Sequence, residues 1–220
     1  MTKNGGVDVR RSDPFPKRVD YDRIAGTYDR RFASSPMDGV AGALRSWAQG
    51  SERLSVLEVG CGTARYLADI PSDIRGQCGL DLSAGMLRQA RRRGGGLQLV
   101  QGRARRAPFR AGAFDFIFCV NAIHHFEEPR RFVHEAHRCL RPGGALAVVG
   151  SDPHDGHGAS YIYDYFEGTR ETDLRRFPSW GTILDWMVEV GLEEIVFQWV
   201  EHIHDPKIGR EVLDDPFLEK

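Results

Sequence analysis

The sequence has little sulfur, no long apolar run and almost no net charge. Four cysteines, at positions 61, 78, 119 and 139, fall without a C-x-x-C pair. Neither a disulfide framework nor a thiolate zinc site is expected, and the thiols should be free and buried. The histidines include His124-His125, His134-x-x-His137 and His202-x-His204. None has a Glu or Cys at ligand spacing, so no metal is expected. Apolar runs stay well short of the ~18 residues of a membrane span. The opening MTKNGGVDVRRSDPFPKR lacks the apolar centre of a secretory leader, which makes a cytoplasmic location the expectation. With 30 basic against 31 acidic side chains the net charge is -1. No global field gathers nucleic acid or anionic membrane, which argues against both as partners and leaves only a local patch open.

What is present suits a globular chain: 41% hydrophobic and 28% charged residues in 220, enough for one domain with its own core. Residues 1–18 are polar with glycine and proline, a flexible lead-in to a single domain over 19–220. In RVDYDRIAGTYDRRF, Tyr21, Ile24, Ala25, Tyr28 and Phe32 recur at helical steps, and a second short helix fits 37–47, so 19–48 reads as a helical cap. Short apolar runs at 55–60, 76–83, 97–102, 114–121 and 145–150 then alternate with helical segments at 63–70, 84–93 and 129–139. Ser83 is the expected cap of the second of these, and Pro142-Gly143-Gly144 the turn after the third. This alternation predicts an α/β doubly wound fold with a mostly parallel sheet. Residues 151–181 form an aromatic insertion, followed by a helix at 180–190 and a sixth candidate strand at 193–202.

In such a sheet the ligand lies beyond the carboxyl end of the first strand. There the chain reads VLEVGCGTARYL, in which Gly60 and Gly62 permit a sharp turn close to a ligand. Arg65 stands where a dinucleotide fingerprint needs Gly or Ala, which disfavours a pyrophosphate. Strand two ends in Asp81, placed to accept from both hydroxyls of a ribose. The residues indicate a nucleoside without a pyrophosphate.

The series YDRIAGTYD, VLEVGCGTARYL, GLDLSAGMLRQA, APFRAGAFDFIFCVNAIHHF and LRPGGALAVV, from Tyr21 to Gly150, resembles the class I S-adenosylmethionine-dependent methyltransferases, in particular their quinone-biosynthesis-like small-molecule branch. The resemblance implies a Rossmann-like sheet of order 3-2-1-4-5-7-6 and S-adenosylmethionine as cofactor. The tail HDPKIGREVLDDPFLEK has no run of β-formers, so the antiparallel seventh strand is expected to be missing. By position, Glu58, Gly60 and Gly62 would line the methionine end and Asp81 would bind the ribose. Leu82 and Met86 would sandwich the adenine, and Ala104 would offer it a backbone N–H. Asn121 and Ala122 would flank the methyl group, and Tyr21 and Tyr28 would close over the site.

Two departures stand out. The third glycine of the family's loop is Ala64, expected to be harmless if the position serves helix packing. Arg103 replaces an aspartate that accepts from the adenine amino group, and arginine only donates, so it should stack on the ring or swing to solvent.

If a base takes part, His124 or His125 is the candidate. Tyr161, Tyr163 and Tyr165, with Phe166, Phe177 and Trp180, suit a flat or apolar small-molecule acceptor. Two other readings remain. One is a modified tRNA base as acceptor, since AIHHF and YDRIAGTYD also resemble tRNA wobble-uridine methyltransferases and arginines cluster at 88–93 and 103–110. The other is a noncatalytic partner with weak or no cofactor binding, prompted by Arg103.

Overall fold

A computed structural model describes residues 19–33, 36–48, 54–71, 76–156, 161–201 and 208–215. The expected lead-in at 1–18 lies outside the described residues. Five strands form one sheet of order β3-β2-β1-β4-β5: β1 Ser55–Val59, β2 Gly76–Asp81, β3 Gln98–Gln101, β4 Phe114–Val120 and β5 Leu140–Val149. Every neighbouring pair is parallel, as expected from strands that alternate with helices.

Both faces of the centre are covered, which explains why β1 and β4 read as unbroken apolar runs. On one face Leu57, Val59, Ile117 and Cys119 meet α5, Pro129–Cys139, through its stripe Phe132, Val133, Ala136 and Cys139. Ile183 and Met187, one turn apart on α8, Trp180–Glu189, join the same cluster. On the other face Val56, Phe116, Phe118 and Val120 meet Val40, Ala41 and Leu44 of α2, Asp38–Ala48. Tyr66 and Leu67 of α3, Arg65–Asp69, complete that side. The helix α4 spans Ala84–Arg91, and Ser83 caps it by accepting from the Met86 N–H at 3.0 Å. All four cysteines are buried and unpaired.

Three expectations are corrected. The N-terminal helix is broken into α1, Tyr21–Ile24, and a 3-10 turn, Tyr28–Phe32, on either side of Gly26-Thr27, where glycine disfavours continuing the helix. The Pro142-Gly143-Gly144 turn lies inside β5 as an irregularity, the pairing slipping between Phe114 and Phe116. No sixth strand forms among the described residues, because 193–201 carry no ladder bonds. Glu194 has φ +53°, which interrupts an extended run. Ile195 then packs with the α5 and α8 cluster while Val200 packs with the α2 cluster. The segment thus crosses from one face of the sheet to the other around its edge, leaving Val196, Phe197 and Trp199 exposed. In the tail, residues 209–214 form a 3-10 turn rather than a strand.

Two further helices, α6 Ile162–Tyr165 and α7 Thr169–Arg176, carry the aromatic insertion. Among the described residues no helix is long and apolar enough to cross a membrane.

Candidate functional site

Left-handed backbone shapes the turn after β1. Gly60, Gly62 and Ala64 have φ of +71°, +52° and +56°. A Cβ on Gly60 would stand 2.6 Å from that of Ala122, so the close approach of the β4 loop demands glycine. Around Gly62 there is open space. Ala64 is fully buried and left-handed at the head of α3. The position therefore needs glycine for conformation rather than packing, and alanine there costs about 1 kcal/mol.

Asp81, at the end of β2, faces this turn. Its Oδ2 accepts from the Gly62 N–H and its Oδ1 from the Ser83 N–H, both at 2.8 Å. Burial lifts its carboxyl above the ordinary value, against the pull of the Ser83, Gly62 and Leu82 amides. Each oxygen keeps a lone pair for a hydroxyl donor. Glu58 lies deeper, 2% exposed, with Oε2 accepting from the Leu67 N–H at 3.1 Å. Desolvation pushes its carboxyl well up, opposed by that hydrogen bond and reinforced by the charge of Asp81.

The cap closes over this end of the sheet through two carboxylates that sequence reasoning passed over. Asp22 accepts from the Ser83 hydroxyl at 3.0 Å and from the Gly85 N–H at the head of α4. The Gly85 bond, with that of Ser83, holds the Asp22 carboxyl below its ordinary value. Asp29 accepts from the Thr63 hydroxyl at 2.7 Å and pairs with Arg93, whose Nε donates to the Thr63 carbonyl at 2.7 Å. Each of these aspartates follows a tyrosine in YDRIAGTYD, and that repeat was the available signal. The tyrosines turn the other way. Tyr21 and Tyr28 stand edge to face at 6.0 Å, and the Tyr21 hydroxyl lies 2.7 Å from His125 Nε2. Burial raises the Tyr21 hydroxyl well above its ordinary range, so it remains a phenol.

The loop after β4 joins the cap to the insertion. Asn121, at φ +48°, donates its N–H to the Val149 carbonyl at 2.8 Å and places Nδ2 4.0 Å from Met37 Sδ. His124 lies 4.1 Å from His125 and stacks on Phe177 at 3.7 Å. Tyr163 donates to Asp173 Oδ2 at 3.1 Å, and Tyr161 is half-buried at the head of α6. Tyr165 is exposed and accepts from the Gly209 N–H at 2.8 Å. The three insertion tyrosines therefore face different neighbours.

Of the two residues expected to sandwich an adenine, Leu82 is half exposed, whereas Met86 is buried with Ile24 and Ala25 beneath the cap. Ala104 packs against the α5-side cluster. Arg103 is about half exposed to solvent, and there it pairs with Glu127. Arg105 bonds Glu127 at 2.6 Å and Glu128 at 3.0 Å. These pairs tie the loop after β3 to the loop after β4. Together with the Arg93–Asp29 pair they neutralise part of the arginine cluster. Among the described residues no group of three or more His, Cys, Asp or Glu could hold a metal.

An open parallel sheet with a glycine turn after β1 and a carboxylate held at the end of β2 defines a doubly wound nucleoside-binding protein. Comparison with known proteins narrows this. The family profile described as "Methyltransferase domain" matches residues 57–148. A crystal structure from Bacillus halodurans C-125, provisionally described as a methyltransferase, is 30% identical with a TM-score of 0.58, covering 69% of this chain and 68% of that one. A SAM-dependent methyltransferase from Thermotoga maritima is 26% identical with a TM-score of 0.60, covering 78% of both chains. The demethylmenaquinone methyltransferase of Chlorobaculum tepidum is 29% identical over 139 residues, 59% of this chain and 57% of that protein. The chain belongs to the class I S-adenosylmethionine-dependent methyltransferase family, and it spans little more than half the length of that quinone-pathway relative.

Proposed function

We propose that the protein transfers the methyl group of S-adenosylmethionine to a small-molecule acceptor. The observation that carries this is Asp81: a carboxylate fixed between the Gly62 and Ser83 amides, with lone pairs left for two hydroxyls, beside a turn that is open at Gly62. The donor set fits the ribose. At position 103 it does not supply an acceptor for the adenine amino group, so base recognition rests on the exposed Leu82 and the Ala104 backbone, with Met86 buried behind them. The quinone-pathway relative and the aromatic insertion support a small, flat acceptor.

When bound, S-adenosylmethionine supplies a methyl group on a sulfonium whose departure neutralises charge, so no acid is needed at the leaving group. The residues of the chain align and exclude water. Alignment is worth about 7–11 kcal/mol, against about 3–5 kcal/mol for a general base. Tyr21 and Tyr28 cover the site from the cap, while Asn121 and Ala122 hold the β4 loop against Gly60. The Tyr21 hydroxyl occupies His125 Nε2 through a hydrogen bond of 2.7 Å, so service as a base at that nitrogen requires Tyr21 to move aside. His124, stacked on Phe177, orients the acceptor side. The buried, unpaired thiols suit the reducing cytoplasm, where we place the protein.

Calorimetry with S-adenosylhomocysteine tests the reading. Asp81→Ala should weaken binding at least tenfold, since it removes charge-assisted hydrogen bonds of about 1.5–3 kcal/mol each. An unchanged dissociation constant sinks the ribose assignment. No binding by the unaltered protein would favour a noncatalytic partner. Labelled methyl uptake from a metabolite extract, compared with tRNA, then separates the acceptor classes.

A further inference from the structure

The acceptor side holds one arginine whose hydrogen bonding is incomplete. Arg176, the last residue of α7, donates from Nη2 to Asp173 Oδ1 at 3.0 Å. Asp173 is shared, because its other oxygen accepts from Tyr163. Arg176 Nε is buried and has no hydrogen-bond partner. The guanidinium lies over the Phe177 ring at 5.1 Å, and Phe177 is stacked on His124, next to the His125–Tyr21 pair. Its neighbour Arg175 is exposed and bonds only locally, to Thr172 at 3.3 Å.

Folded proteins seldom leave a buried donor unmet, least of all on a charged group. A guanidinium edge matches a carboxylate in shape and charge better than any neutral acceptor. We propose that Arg176 is a specificity residue that binds a carboxylate on the methyl acceptor, whose flat body lies along Phe177 and His124. The inference deepens the proposed function and rests on it. The positive charge of Arg176 is also felt at the Tyr21 hydroxyl, where it opposes the effect of burial, which puts the arginine near the cap. The field at this end therefore selects anionic acceptors over neutral ones of the same shape, by the incomplete pairing of one side chain rather than by the size of a pocket.

The probes are benzoate and benzamide, which share a shape and differ in charge, titrated into the full chain saturated with S-adenosylhomocysteine. Benzoate should bind at least tenfold more tightly than benzamide, the yield of a single charged hydrogen bond. Arg176→Gln should abolish the preference and leave S-adenosylhomocysteine binding unchanged, whereas Arg175→Gln should keep both. Should Arg176→Gln fail to fold, Asp173→Asn serves instead: by releasing the guanidinium it should tighten benzoate binding severalfold. Equal affinities for the two probes, no benzoate binding, or full preference in Arg176→Gln overturns the inference. If S-adenosylhomocysteine does not bind, the proposed function fails, and the two probes on the free protein still decide the role of Arg176.

Discussion

Glu58→Gln should make the free protein more stable and a poorer binder of cofactor. The side chain is 2% exposed, and its Oε2 accepts from the Leu67 N–H at 3.1 Å. Glutamine keeps that acceptor and nearly the same shape while removing the charge. Burial raises the Glu58 carboxyl well above its ordinary 4.5. The folded state therefore binds a proton more readily than the unfolded chain, and stability falls as pH rises from the unfolded value toward the folded one. Each pH unit between the ordinary 4.5 and the raised folded value costs about 1.4 kcal/mol. For a chain of this size each kcal/mol regained in the variant raises the melting temperature by about 2–4 °C. Scanning fluorimetry from pH 5 to pH 8 reads it. The advantage of the variant should be greatest at pH 8 and shrink toward the ordinary carboxylate range. A lower melting temperature in the variant, or a difference independent of pH, would mean that the head of α3 holds Glu58 ionised at no net cost. With S-adenosylmethionine present the advantage of the variant should shrink, because an amino group placed at Glu58 would lose a charged acceptor worth at least a factor of ten.

Two further outcomes follow from the pins and straps around the site. Asp22→Ala removes the acceptor for Gly85 and Ser83, so hydrogen exchange at Tyr21–Ile24 should quicken while β1 and β4 keep their protection; unchanged exchange in α1 would show that apolar packing on Met86 alone holds the cap. Arg103→Ala should change S-adenosylhomocysteine affinity less than threefold, because Arg105 still holds Glu127 and a half-exposed pair contributes only about 0–1 kcal/mol, and a larger loss in calorimetry would give Arg103 a direct part in binding.

What the sequence made legible was whatever depends on neighbours close in the chain. The bounds of α5 follow from Pro129 at its first turn and the stripe Phe132, Val133, Ala136, Cys139. The Ser83 cap and the places of the first five strands are local in the same sense, whereas the spatial order of those strands was implied only by the family resemblance. The sixth strand was misread because Ile195, Val196, Phe197 and Val200 have strand propensity, yet a ladder needs a partner in register, and propensity does not encode the positive φ at Glu194. The site divides along the same line. Gly60 and Asp81 are marked by their place after strands. Asp22 on Gly85, Asp29 on Thr63 and Arg103 on Glu127 join residues 63, 34 and 24 positions apart, and nothing local announces them. Arg176 stayed hidden because the aromatic density around it drew the reading toward tyrosines.

The free edge of β5 bears on how such a protein can change over time. The residues assigned to the ribose and the methyl group sit on β1, β2, β4 and the loops that follow them, while the outer side of β5 has no ladder partner among the described residues. Insertions, exchanges or losses beyond residue 193 would alter that margin without moving Asp81 or the turn at Gly60. The nucleoside end of the sheet is in this way set apart from that margin, which reaches the cap through Val200 on α2 and Glu201 accepting from the Gly39 N–H. The C-terminal margin is free to be rewritten for new acceptors or new associations while the nucleoside end stays as it is.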